Sequence, residues 1–338
     1  METILFLAHT EADGTLGRAA MESLTAAKSL AEATGGTLVA GLVGENVQLA
    51  ANAIAGAGAT KVLGVSGADF AQPRYATDAA AAEALCKAAE ATIVIAAGDS
   101  RWSRVLPGVG HRLGGRADLH ITQVNGDGGV SVKRWFYRQR MEGSFSRAQR
   151  PWLLGIDPGT QTPWQGGAGE TAVEPVAVDA GTRTAVTGVK APNTDEQTIR
   201  PDAEVLFVAG AGWTKKQADG QVHLDIAEQR ILGFLKGAKA SLGSSKSLVD
   251  LSSEGGQVLS FMTHLNQVGQ TGATPRHPKG LATCCHGEEP HVVGWRFINE
   301  RRAINTDANC GWAQGKADVL YVADAFEVME KVNALLAE

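Results

Sequence analysis

At 338 residues and 44% hydrophobic content, the chain is long enough to bury two cores of ordinary domain size. Its 31 Lys and Arg against 36 Asp and Glu leave a formal charge of −5, and no segment concentrates basic residues, which argues against DNA or RNA as a partner. No apolar run reaches the length of a membrane span. Four cysteines are too few for a disulfide scaffold, so the sequence reads as a cytoplasmic protein of a reducing compartment.

The first residues, METILFLAHTEADG, carry no basic region ahead of their apolar run and turn acidic at once. They predict a first strand at Thr3–Ala8 rather than a targeting peptide. An Ala- and Leu-rich segment from Gly17 to Thr34 follows, with Leu24, Ala27, Leu30, Ala31 and Thr34 at helical spacing. Strands are expected at Thr37–Val43, Lys61–Val65 and Thr92–Ala97, and helices at Asn46–Ala57 and Ala76–Ala89. Such alternation predicts a parallel sheet covered by helices on both faces. Gly98-Asp99-Ser100-Arg101 stands at the corner between a strand and a helix read over Trp102–Leu113. A corner of this kind can bind an anion on helix amides. No Gly-x-Gly-x-x-Gly is present there, and a helix start capped by Asp99 or Ser100 is the preferred reading.

From Ala117 to Ile156 the texture turns extended, at His120–Val124, Val130–Tyr137, Ser144–Ser146 and Trp152–Ile156, with a hairpin signal at Asn125–Gly129. Arg134, Arg138, Arg140 and Arg147 lie in or beside these strands; charges so placed usually line a solvated face or protect an edge. Asp157–Pro201 is rich in Gly, Pro, Thr and Ala, with one extended segment around Thr184–Lys190. It is expected to be a linker, dividing the chain into domains 1–195 and 196–338. The second domain opens with a strand at Glu204–Ala209, a Gly210-Ala211-Gly212 turn and a helix over Leu224–Ala240. Leu224, Ala227, Ile231, Leu235 and Ala238 give that helix one apolar face. The fold class expected is α/β, with two domains, each a mostly parallel sheet flanked by helices, the second of them Rossmann-like.

The most distinctive stretch runs from Gln267 to Asp318. QVGQTG at Gln267–Gly272 sets two glycines among an amide and a hydroxyl side chain, a turn whose backbone approaches a flat or charged ligand closely. Thr283-Cys284-Cys285-His286-Gly287-Glu288-Glu289-Pro290-His291 follows, then Ala303-Ile304-Asn305-Thr306-Asp307. QVGQTG, the spacing from Gly287 to His291, INTD at Ile304–Asp307, KAD at Lys316–Asp318 and VADAF at Val322–Phe326 together resemble the electron-transfer flavoprotein alpha subunit family.

The resemblance implies an electron carrier rather than an enzyme with its own substrate. It implies FAD in the C-terminal domain, a beta subunit docked on the N-terminal one, a donor dehydrogenase and an acceptor such as a quinone oxidoreductase. It also implies the residues that hold FAD. Ser245 and Lys246 fall beside the flavin, where a cation stabilises negative charge and raises the potential. Gln267, Val268, Gly269, Gln270 and Thr271 bind the cofactor, with Gln270 and Thr271 holding the ring and the Thr271 hydroxyl near N5. His291 lies at the ring's carbonyl edge, the pyrophosphate rests on backbone amides around Gly287, and His286 beside it is counted among the cofactor-binding residues. Asn305 and Asp318 meet the ribose and adenine end, and Asp307 belongs to the same loop.

Some residues depart from the family pattern. Lys246 and Ala211 stand where arginine is usual, and His286, Glu288 and Glu289 replace small or apolar residues. Two carboxylates near a pyrophosphate repel it unless they turn outward. A relay subunit fixed in a larger dehydrogenase complex, and a scaffold of the same fold without flavin, therefore stay open as alternatives. Cys284, Cys285, His286, His291 and Cys310, with His277, supply soft ligands. Adjacent cysteines do not easily share one zinc and no Cys-x-x-Cys occurs, so no metal site is expected.

Overall fold

The computed structural model describes residues 1–136, 141–181, 183–188, 199–200, 203–251, 255–256, 258–269, 272–283, 295 and 297–338. The chain divides into two α/β units, Met1–Val189 and Lys190–Glu338. The expected boundary at 195/196 falls within residues 189–198, outside those described.

In the first unit, β1 (Thr3–His9), β2 (Thr37–Gly44), β3 (Lys61–Ser66), β4 (Ile93–Ala97) and β8 (Trp152–Ile156) run parallel, in the order β8-β4-β1-β2-β3. These strands are near-continuous apolar runs because both faces are covered. α1 (Arg18–Thr34) and α2 (Gln48–Ala53) close one face, α3 (Tyr75–Ala88) and α5 (Leu106–Arg112) the other. α1 stops at Gly35, whose φ of +61° makes the left-handed cap that glycine tolerates best. The single helix expected over Trp102–Leu113 is instead two, α4 (Ser100–Ser103) and α5. Pro107 lies in the first turn of α5, where its missing N–H costs nothing, and so it starts a new helix.

Beyond β8 the sheet continues through β5 (Arg116–Asn125), β6 (Ser131–Phe136) and β7 (Met141–Phe145). β5 lies parallel to β8, and β6 and β7 follow antiparallel. Arg134 and Arg147 turn to the buried Asp118 carboxylate, with Arg147 Nη2 at 2.9 Å, and Trp152 Nε1 donates to it at 2.8 Å. Burial alone would raise this carboxyl. The hydrogen bonds from Arg147 and Trp152 outweigh it and hold Asp118 below the usual range. These two arginines are thus absorbed by structure; Arg138 and Arg140 lie outside the described residues.

The stretch after β8 corrects the expectation of a linker. Trp164, Val173, Val176, Val178 and Ala180 pack on the cores of the first unit. Gly56 N donates to Gly167 O at 3.0 Å and Gly169 N to Asn52 O at 2.9 Å. β9 (Glu174–Pro175) then pairs with β3 and covers its edge. The strand is therefore at 174–175; residues 183–188 form none, and 189–190 lie outside the described residues. A few well-spaced apolar anchors hold a Gly- and Pro-rich segment whose composition alone suggests a free tether.

The second unit is a five-stranded parallel sheet in the order β11-β10-β12-β13-β14, formed by β10 (Val205–Ala209), β11 (Ser241–Ser244), β12 (His277–Thr283), β13 (Ile298–Asn305) and β14 (Val319–Val322). α6 (Leu224–Gly237) and α9 (Ala325–Leu336) cover one face, and α8 (Gly311–Lys316) packs on the other with Trp295 nearby. The chain crosses from β10 to β11 on one side and then to β12 on the opposite side. That reversal makes the carboxyl ends of β10 and β12 the switch point, where open α/β sheets bind ligands. Among the described residues no helix is long and apolar enough to cross a membrane.

Candidate functional site

Five strand ends, Ala209, Ser244, Thr283, Asn305 and Val322, set out the carboxyl edge of the second sheet. β11 passes directly into α7 (Lys246–Asp250). Ser245 is buried and caps this short helix, its Oγ accepting from Leu248 N at 3.2 Å. The Lys246 ammonium is ion-paired with Asp250 one turn on, and His264 Nε2 lies 3.1 Å from the other Asp250 oxygen. Lys246 and then His264 hold the Asp250 carboxyl below its ordinary range. The cation expected beside a flavin thus comes with its own counter-ion.

The QVGQTG segment is laced onto β11. Val268 N donates to Ser244 O at 2.9 Å, and the Val268 side chain is fully buried. Gly269, at φ +82°, donates to Ala273 O at 2.7 Å, while Gly272 N donates to Gly269 O at 2.7 Å. A Cβ at Gly272 would fall 2.3 Å from Gln267 O, so the turn admits only glycine there. Gln267 is buried, its Nε2 donating to Gly269 O at 3.2 Å. Gln270, Thr271, His286, Gly287 and His291 lie outside the described residues, as do Cys284, Cys285, Glu288 and Glu289.

Asn305 ends β13 and is 2% exposed. Its Oδ1 accepts from Asp307 N at 2.9 Å, which orients the amide and leaves Nδ2 buried without a partner. Asp307 is spent on its own loop, accepting from Asn309 N at 2.8 Å.

Asp318 does not join this group. It precedes β14, where its carboxylate accepts from Arg301 N at 2.7 Å and from the Arg301 guanidinium at 2.8 Å. The register pairs Arg302 with Val319 and Asn305 with Val322, so Asp318 and Asn305 sit at opposite ends of one strand pair. The aspartate on the carboxyl edge is Asp324. It caps α9, accepting from Phe326 N at 2.7 Å, and the neighbouring Ala323 N donates to Asn305 O at 3.1 Å. The sequence signal for it was present in VADAF: an aspartate just past an apolar strand and ahead of a helix.

Ala211 is buried in a single turn after β10, Ala211–Thr214, so this turn offers no cation from that position. Trp213 fills the space, its Nε1 donating to Thr283 Oγ1 at 2.7 Å and its ring 4.5 Å from that of Phe326. Cys310 is buried, and His277 is buried with its Nε2 2.8 Å from Arg200 O.

The whole chain finds no match among curated proteins. The model of the electron transfer flavoprotein domain matches residues 4–191, more than half of the chain and essentially its first unit. The chain therefore belongs to the electron transfer flavoprotein domain family.

Proposed function

We propose that the chain is an electron-transfer flavoprotein alpha subunit that binds FAD at the carboxyl edge of its second unit. Paired with a beta subunit, it carries electrons from a dehydrogenase to a downstream acceptor such as a quinone oxidoreductase. The observation that carries this reading is Asn305 Nδ2, a buried donor without a partner on the ligand edge of a parallel sheet. The glycine-only turn at Gly272, on a loop bonded to the same edge, suits close approach of a flat ring. On these two counts the residues present fit a flavin nucleotide.

Bound FAD supplies the redox chemistry, taking up electrons from one protein and releasing them to another. The chain's own residues bind and orient. Asn305 donates to an acceptor of the ligand. Asp307 and Asp324 each commit one carboxylate oxygen to backbone amides, which fixes the direction in which the carboxylates point. Lys246 offers positive charge that Asp250 partly offsets, which lowers the field at the ring and with it the potential. A flavin-less scaffold is the second reading, favoured by that same pairing and by the buried Ala211.

The absorption spectrum of the purified protein, co-expressed with its partner subunit, separates the two. Flavin bands with one FAD per chain support the carrier. A colourless, folded complex that stays colourless after FAD is added sinks it and favours the scaffold.

A further inference from the structure

The second unit has three tryptophans, two fully buried and Trp312 half-buried against the core, and their indole N–H groups fare differently. Trp213 donates to Thr283 Oγ1 at 2.7 Å and Trp295 to Lys316 O at 3.0 Å. Trp312 Nε1 is inaccessible to solvent and has no partner. A buried unpaired N–H is costly and rare in a folded chain, and one recognised origin is a missing ligand acceptor.

The surroundings of Trp312 narrow the place. Its ring lies 5.9 Å from that of Trp295 and packs on the cluster that Trp295 forms with Ala282 of β12 and Ile298 of β13. It also packs on the cluster of Ala303, Cys310 and Ala313. Ala303 lies two residues before Asn305 on β13, and alternate residues of a strand share a face. Trp312 thus packs against the face of β13 that ends in Asn305, whose amide nitrogen is likewise a buried donor without a partner. Resting on the FAD reading above, we infer that Trp312 is a further ligand-binding residue. Its indole N–H and the Asn305 amide form a two-donor site for acceptors of the adenosine half of the dinucleotide. Neither group accepts a hydrogen bond at these atoms, so the site selects hydroxyl, ring-nitrogen or phosphate acceptors over donors.

Trp312→Phe tests this, because it keeps the ring and removes only the N–H. Titrations of FAD and of ADP into the complex with the partner subunit give the affinities. Spectra of the indole-15N-labelled complex follow the Trp312 resonance, assigned as the one missing from the variant. The expected result is about five- to tenfold weaker binding of both ligands by Trp312→Phe, the equivalent of one hydrogen bond. The Trp312 resonance should also move downfield in the parent complex when FAD is added. Unchanged affinity, or a resonance that stays in place at saturating FAD, overturns the proposal, even if the variant folds poorly. A parent complex that binds ADP but not FAD removes the carrier reading, while Trp312→Phe against ADP still decides the donor pair. Binding of neither ligand overturns both.

Discussion

Each unit has a parallel sheet with a switch point, but the two carboxyl edges are finished differently. In the first unit the crossing lies between β1 and β4, and the chain's own side chains close most of it, although His9 Nδ1 there is buried without a hydrogen-bond partner. Asp99 caps α4, accepting from Trp102 N at 2.8 Å. Arg101 is buried and turned away, to Asp78 at 2.7 Å and to Phe70 O at 2.9 Å. Thr10 occupies the space that a side chain at Gly44 would need. Burial, and then the charge of Arg101, push His9 down to about 4, so it sits neutral beside Trp102. In the second unit the Asn305 amide nitrogen, which can only donate, remains buried and unpaired at the edge, whereas a neutral His9 keeps one ring nitrogen without a proton to place. The lesson is that topology names a place for a ligand, while the hydrogen-bond accounting says whether the protein has filled it already.

The sharpest way to break this contrast is to open the closed edge. Asp78→Asn leaves the Arg101 guanidinium buried without its counter-ion, with side-chain exposures of 7% for Arg101 and 0% for Asp78 in the parent. Loss of a buried pair in this way should cost about 3–5 kcal/mol, read by denaturant unfolding. A cost near zero would mean that Arg101 relaxes to solvent and that the edge is not closed by this pair.

His9 provides the next largest effect, and its sign follows from linkage. The unfolded chain takes up a proton as pH falls through 6.5, which the folded chain refuses until about 4. Stability should therefore fall as pH drops across that window, by up to about 3 kcal/mol, and be fully present above it. His9→Gln should flatten this part of the profile; an unaltered profile would assign the acid sensitivity to other groups.

At the open edge, Gly272→Ala places a methyl against Gln267 O and should cost about 1–3 kcal/mol while abolishing the turn's fit to a flavin. Equilibrium dialysis of FAD alongside thermal melting reads both. A variant that retains full FAD binding would remove the turn from the site. The smallest expected effect is that of Asp250→Asn, which frees the Lys246 charge and should raise the flavin midpoint potential in a spectroelectrochemical titration. An unmoved potential would place Lys246 away from the ring.

Much of this architecture was written in local sequence. The apolar strands at Thr3, Thr37, Lys61 and Trp152, the helix to Thr34 and the cap at Asp99 all follow from signals a few residues long. The periods of strand and helix, and the chemistry of caps, act over that range. The glycines of QVGQTG were legible for the same reason, since only a tight turn calls for them.

What lay beyond reach depended on residues far apart in the chain. Only the register of β13 against β14 shows that Asp324, not Asp318, stands at the carboxyl edge, because two aspartates six positions apart are equivalent until the strand between them is placed. Only the cores of the first unit show that residues 157–181 are a strap, because anchors such as Trp164 and Val176 have no meaning without the surfaces they cover. The counter-ion of Lys246 and the unpaired nitrogen of Trp312 belong to the same class. Composition and spacing establish which groups a segment carries; partnership in a folded chain is a property of what the sheet brings alongside.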